Sequence, residues 1–117
     1  MRDSTTSYLS GASVGELVST ASLEPVLDAD LEAELARRVS AGDTVALERL
    51  VMGNLRVAVD EAIRNRGLGQ PQRALVRHGV GVLIEAARVY DPAQHGSFSR
   101  FASGRVRRAI SDDVADA

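Results

Sequence analysis

The residues best suited to chemistry in this chain lie in one segment, Gly96 to Ile110, which reads GSFSRFASGRVRRAI. On a helix its apolar side chains share one side, while its arginines face solvent or lie on the flank. Guanidinium groups bind phosphate oxygens through charge-assisted hydrogen bonds, so an exposed row of them suits a nucleic acid. The arginines concerned are Arg100, Arg105, Arg107 and Arg108. We expect the two phenylalanines to pack in the core; stacking on bases is the alternative.

The distribution of charge supports an anionic partner. The net charge is only −2, yet residues 64–108 carry nine arginines against two acids, whereas the segments on either side are acidic. Every basic residue is arginine, which a genomic coding bias would explain, but such a bias does not explain clustering. A basic block between acidic segments indicates contact with a polyanion.

Composition argues against several other functions. Without cysteine the chain forms neither a disulfide nor a thiolate metal site. His78 and His95 lack an acid or a second histidine at ligand spacing, and no nucleophile–base pair is evident. We therefore expect no metal, no cofactor and no enzymatic activity. The N-terminus predicts no signal peptide, and no apolar run approaches the roughly 20 residues of a membrane span, so the expected location is cytoplasmic.

Hydrophobic periodicity predicts an all-α protein, because no window shows the alternation of a strand. We expect a Ser/Thr-rich arm over residues 1–26, a helical domain over residues 27–110 and an acidic tail over residues 111–117. The arm would contain one short helix, Ser13 to Ser19. The domain would contain a helix from the N-cap Asp28 to Gly42 and a long helix over residues 44–67, capped by Asp43. A helix from Gln72 to Val89 would follow, then a loop over residues 90–96, in which Pro92 keeps Asp91 out of helical geometry, and a last helix capped by Ser97 or Ser99.

The helix from Gln72 to Val89 is apolar over more than half of its circumference. Such a helix either lies at the centre of a bundle or keeps one face for a partner. Its polar strip consists of Arg77, His78, Gly81, Glu85 and Arg88. We favour the central position and retain the partner face as the alternative.

The order of these segments resembles bacterial sigma factors of the primary class, from the end of region 1.2 through region 2. The similarity runs from about Leu27 to Ile110. The positions in register are Ala41-Gly42-Asp43, Asn54-Leu55-Arg56-Val57, Tyr90-Asp91-Pro92, and the frame Phe98-Ser99, Ala102, Val106-Arg107, Ala109-Ile110. The resemblance implies a region-2-like bundle of about four to five helices that binds the clamp coiled coil of RNA polymerase core and promoter DNA.

The departures from the family concern function. The polar positions that grip the clamp in sigma factors correspond to Ala74, Arg77, His78 and Val80. The two tryptophans that stack on the opened promoter strand correspond to Gly104 and Arg105, while Phe101 replaces a tyrosine and would still offer a ring to a base. After Ile110 the sequence is acidic, so we expect neither the helix that reads the −10 element nor regions 3 and 4.

Three functions are compatible with these features. The first is a sigma-like transcription protein, acting alone or as one part of a split sigma factor. The second is an interaction module that binds a transcription regulator or a polymerase surface without initiating transcription, and the third is a general nucleic-acid-binding protein. The predicted nucleic-acid contacts are Arg100, Phe101, Arg105, Arg107 and Arg108. The predicted partner contacts are Arg77, His78, Val80, Gly81, Ile84, Glu85 and Arg88, with Val80 and Ile84 as an apolar centre.

Overall fold

The computed structural model describes residues 13–23 and 27–116. Those residues form seven α-helices and no strand, which confirms the all-α prediction. The helices are α1 (Val14–Leu23), α2 (Ala29–Ser40), α3 (Thr44–Met52), α4 (Leu55–Arg64), α5 (Gln72–Val89), α6 (Pro92–His95) and α7 (Phe98–Ala115). Of the predicted Ser/Thr-rich arm, residues 1–12 and 24–26 lie outside the described residues. Within the described residues no helix is long and apolar enough to cross a bilayer.

The helices begin at the predicted capping residues. The Asp28 carboxylate accepts a hydrogen bond from the Leu31 N–H at 2.8 Å, and Asp43 accepts one from the Ala46 N–H at 3.0 Å. Ser97, rather than Ser99, caps α7. Side-chain acceptors of this kind satisfy N–H groups that have no partner within the helix. Helix α1 is longer than predicted, because it continues past Ser19 to Leu23.

Gly42 allows α2 to end directly before α3 begins. It adopts a φ of +92°, a left-handed conformation that only glycine adopts readily. Its N–H donates to the Val39 carbonyl and the Asp43 N–H donates to the Arg38 carbonyl, both at 2.9 Å. This pair of bonds is a Schellman motif, which closes α2 as its sequence predicted.

The predicted long third helix is wrong, because the chain breaks at Gly53-Asn54 into α3 and α4. Asn54 has a φ of −123°, outside the helical range. Its side-chain amide donates to the Leu50 carbonyl at 2.9 Å and to the Glu32 carboxylate at 3.3 Å. A side chain that bonds the preceding turn competes with the helical ladder. The apolar stripe therefore continues across two helices instead of one.

Two further expectations need correction at the C-terminal end. Pro92 begins the one-turn helix α6 inside the segment predicted as a loop, since its fixed φ suits the first helical position. Asp91 is extended, as predicted, and its carboxylate caps the Ala93 N–H at 3.0 Å. Helix α7 continues to Ala115, through most of the segment expected to be an acidic tail.

Helix α5 is the centre of the bundle, where α2, α3, α4 and α7 all pack against it. A methyl group at Gly79 would lie 3.1 Å from the Ala58 Cβ and 3.3 Å from the Ile110 Cδ1. The absence of a side chain at Gly79 thus lets α4, α5 and α7 approach closely. Six of the seven side chains predicted as core are completely buried: Leu50, Leu55, Leu83, Phe98, Val106 and Ile110. The seventh, Phe101, is only half-buried.

Shortening Leu55 at the start of α4 should lower the free energy of unfolding. Leu55 is completely buried, so Leu55→Ala loses apolar contacts and leaves a cavity, at a cost of about 2–5 kcal/mol. Urea denaturation followed by circular dichroism measures this change. Val45→Ala is the control, because Val45 is 67% exposed. Equal effects of the two substitutions would contradict the assignment of Leu55 to the core.

Candidate nucleic-acid and partner surfaces

The four arginines of α7 are all exposed, and none forms an ion pair with a carboxylate among the described residues. They do not form the single row that helical spacing suggests. Arg105 and Arg108 line a groove on the side of α5, whereas Arg107 lines a cleft on the side of α4. Helix α7 therefore presents positive charge on both of its exposed sides.

The groove between α5 and α7 has a volume of about 680 Å³. It brings together residues that the sequence assigned to two different partners. Its lining consists of His78, Gly81, Val82, Glu85, Arg105, Arg108, Ala109 and Asp112. Near it, the His78 Nδ1 lies 2.5 Å from an Asp113 carboxylate oxygen, which ties the end of α7 to α5.

The predicted apolar partner face on α5 is not at the surface. Val80 and Ile84 are only 4% and 9% exposed, because the helices around α5 enclose its wide apolar side. The expectation that these two residues contact a partner is therefore wrong. The rest of the predicted partner set is exposed and forms a polar strip: Arg77, His78, Gly81, Glu85 and Arg88.

The ring of Phe101 already has three neighbours, of which Tyr90 lies with its ring centroid 5.7 Å away. The His95 ring stacks on it with the centroids 4.1 Å apart and the planes 11° from parallel. The guanidinium carbon of Arg105 lies 4.6 Å from the Phe101 centroid, in cation–π contact. Stacking of a base on Phe101 would therefore require Arg105 or His95 to move.

Gly104 leaves open space on the exposed side of α7. A methyl group built there meets no atom within 4 Å. Packing around the β-carbon thus gives no reason for glycine at this position. A β-carbon fits without a clash at the position where the resemblance places an aromatic residue.

Sequence reasoning missed a second cleft, of about 290 Å³, between α4 and α7. Its lining consists of Gly53, Asn54, Arg56, Val57, Asp60, Glu61, Arg64, Ser99, Ser103 and Arg107. Arg64 pairs with Glu61 at 3.3 Å, but neither Arg56 nor Arg107 has an ion-pair partner within the described residues. Two such guanidinium groups beside two serine hydroxyls match the oxygen acceptors of a phosphate. The cleft was missed because Arg56 and Ser99 are distant in sequence and no local motif connects them.

Glu32 is a buried acid behind this second cleft. It is only 4% exposed, and its carboxylate accepts a hydrogen bond from the Asn54 side-chain amide at 3.3 Å. Burial raises the pKa of the Glu32 carboxyl, although the Asn54 amide and the backbone N–H groups of Phe98 and Ser99 oppose the shift. The available sequence signal was its position on the same helical face as Leu35 and Ala36, where an acid is unusual.

The raised pKa of Glu32 predicts a dependence of stability on pH. In the unfolded chain Glu32 titrates near 4.5, and in the folded chain it titrates at a higher pH. Between those values the folded protein holds a proton that the unfolded chain does not, so its contribution to stability is full below pH 4.5 and falls as the pH rises.

Urea denaturation of the wild type and of Glu32→Gln tests this dependence. Glutamine does not titrate, so the wild-type free energy of unfolding should decrease relative to that of the variant as the pH rises above 4.5. Asp60→Asn, at an exposed acid, is the control. A wild-type-minus-Glu32→Gln difference that stays constant or increases with pH would show that the pKa of Glu32 is not raised.

Comparison with known proteins gives a consistent result. No family model matches the chain. The chain is 39% identical over 92 residues to the RNA polymerase sigma factor SigA of a Bacillus species, a match that covers 79% of this chain and 24% of the relative. It is 37% identical over 91 residues to the proteins of the same name from Listeria monocytogenes and Listeria innocua, covering 78% of this chain and 24% of each relative.

The similar segment is long enough to contain α2 to α7, the helices that build both the groove and the cleft. The chain nevertheless spans only about a quarter of the length of these curated relatives. The resemblance to primary sigma factors that the sequence predicts is thereby confirmed: this chain is similar over most of its length to one segment of those proteins.

Proposed function

We propose that this chain is a sigma-like transcription protein that contacts both RNA polymerase core and nucleic acid but does not open promoter DNA on its own. The similarity to sigma factors over 92 residues carries the proposal. The proposal has a nucleic-acid half and a polymerase half. The exposed arginines on α7 support the first, and the loss of the family's aromatic pair explains why we expect no promoter opening.

The nucleic-acid half rests on charge. Arg105 and Arg108 face the groove on one side of α7, and Arg107 faces the cleft on the other, where Arg56 lies. Guanidinium groups hold phosphates wherever the backbone passes, and such contacts carry no base information. We therefore propose salt-sensitive binding of single-stranded DNA with little sequence preference. Past Ile110 the helix is acidic, which confines the binding surface to the part of α7 before it.

The polymerase half rests on the exposed strip of α5. The resemblance implies that this strip faces the clamp coiled coil of RNA polymerase core. Here the strip carries Arg77 and His78 where sigma factors have an amide and an acid, and His78 is engaged by Asp113. Docking through this strip would therefore use different charges from those of a working sigma factor and would be weaker.

One observation favours a second function, an interaction module that binds a transcription regulator without initiating transcription. The groove between α5 and α7 has Gly81 and Ala109 along its lining and carries both signs of charge, through Arg105, Arg108 and Glu85. A lining of this kind suits the side chains of an amphipathic helix. The chain would then affect transcription by binding the partner protein rather than by initiating transcription.

Removing the α7 arginines should abolish binding to single-stranded DNA. Alanine at Arg100, Arg105, Arg107 and Arg108 removes four positive charges and with them the phosphate contacts that we propose; the wild type should bind less tightly as the salt concentration rises. Fluorescence anisotropy of a labelled oligonucleotide at several salt concentrations measures both effects. The matched control removes the same charge elsewhere, at Arg37, Arg49, Arg66 and Arg73, all of which are exposed. Equal loss in both variants would assign binding to net charge rather than to α7.

The chain with core polymerase alone should not melt a promoter. Strand opening requires flat side chains that replace lost base stacking, each worth about 1–3 kcal/mol, and Gly104 provides none. Permanganate footprinting detects unpaired thymines, and cosedimentation with core polymerase reports docking separately. Thymine reactivity that depends on this chain alone would refute the prediction. The variant Gly104→Trp with Arg105→Trp restores the aromatic pair and serves as the comparison, since a β-carbon at position 104 meets open space.

A further inference from the structure

The cleft between α4 and α7 is held together from behind. Asn54 and Ser99 both line it, and both interact with Glu32: Asn54 donates through its side-chain amide at 3.3 Å, and the backbone N–H of Ser99 lies close enough to lower the pKa of the Glu32 carboxyl. These two residues belong to opposite walls. One buried carboxylate thus joins the two walls of the cleft.

Both unpaired guanidinium groups of the cleft depend on those two walls. Arg56 lies in the first turn of α4, two residues after Asn54. Arg107 lies eight residues beyond Ser99 on α7, which is about 12 Å along a helix. A change in the placement of either helix start would therefore change the distance between the two groups.

We infer that Glu32 is a positioning residue for phosphate binding: its carboxylate sets the spacing between Arg56 and Arg107 without touching the ligand. The inference rests on the proposed binding of nucleic acid. The groups that face Glu32 are Asp28 at the start of α2, Tyr90 after α5, the Asn54 amide and the α7 amides. None of them is a cation that could link the two walls of the cleft in place of the carboxylate.

Two roles for Glu32 predict opposite results. If the carboxylate acted only through its charge, removing it would raise the affinity for an anion. If it positions the two arginines, Glu32→Gln replaces one of the two acceptor oxygens by an NH2 group, which weakens the link between the walls and lowers the affinity. Glu32→Asp separates the roles again, because it keeps the charge but shortens the side chain by one methylene.

The test measures binding of a labelled single-stranded oligonucleotide to the full chain at fixed salt and pH, with folding checked by circular dichroism. Glu32→Gln and Glu32→Asp should each weaken binding about tenfold, the effect of losing one hydrogen bond to a charged group. Asp30→Asn is the matched control, since Asp30 is an exposed acid on the same helix as Glu32 that lines neither the cleft nor the groove, and its loss should leave binding unchanged. Folded Glu32 variants that bind as tightly as the wild type would overturn the inference.

A second measurement needs no variant. In an NMR titration of the wild type, the amide signals of Phe98 and Ser99 and the Nε signals of Arg56 and Arg107 should shift with one shared midpoint as Glu32 gains its proton. Different midpoints, or no response of the arginine signals, would overturn the positioning role. If the wild type does not bind the oligonucleotide at low salt, only the proposed nucleic-acid binding is refuted. A shared midpoint would still show that Glu32 links the two walls of the cleft.

Discussion

The arrangement of this bundle depends on one buried carboxylate and the donors around it. An ionised acid removed from water is costly unless hydrogen bonds replace its hydration. Glu32 interacts with donors at two places that are distant in sequence: the Asn54 amide at the junction of α3 and α4, and the first two backbone amides of α7. The acid thereby links the start of α7 to the α3–α4 junction. This link lies behind the cleft that Arg56 and Arg107 line.

This dependence explains which features of the fold were predictable. The caps at Asp28, Asp43 and Ser97 act within one turn, and the sequence predicted the first two directly and the third as one of two candidates. Helix α5 was predicted with its observed bounds, because Pro71 and Pro92 limit it on both sides. The break at Gly53-Asn54 was missed because the side-chain amide of Asn54 donates a hydrogen bond to Glu32, a residue 22 positions away. Local periodicity carries no information about such a partner.

The candidate site was likewise predictable only in those features that depend on a single helix. Helical spacing correctly predicted that the α7 arginines are exposed, since exposure follows from the direction of a side chain on its own helix. It did not predict that Arg105 and Arg107 border different neighbours, or that the arginine at position 105 lies over Phe101. Val80 and Ile84 were wrongly given to a partner because an apolar face looks the same whether a neighbouring helix or another protein covers it. Only the packing around α5 distinguishes the two cases.

The sign of the charge reverses along α7, and this reversal has a kinetic consequence. Arginines occupy its first part, while Asp112 and Asp113 lie near its end. A charge distribution with two separated poles experiences a torque in the field of a polyanion, so the molecule turns before contact is made. Productive encounters would then be enriched over random collisions, most strongly when few ions are present to screen the field. The aspartates, which contact no nucleic acid in this picture, would act by setting the orientation of approach.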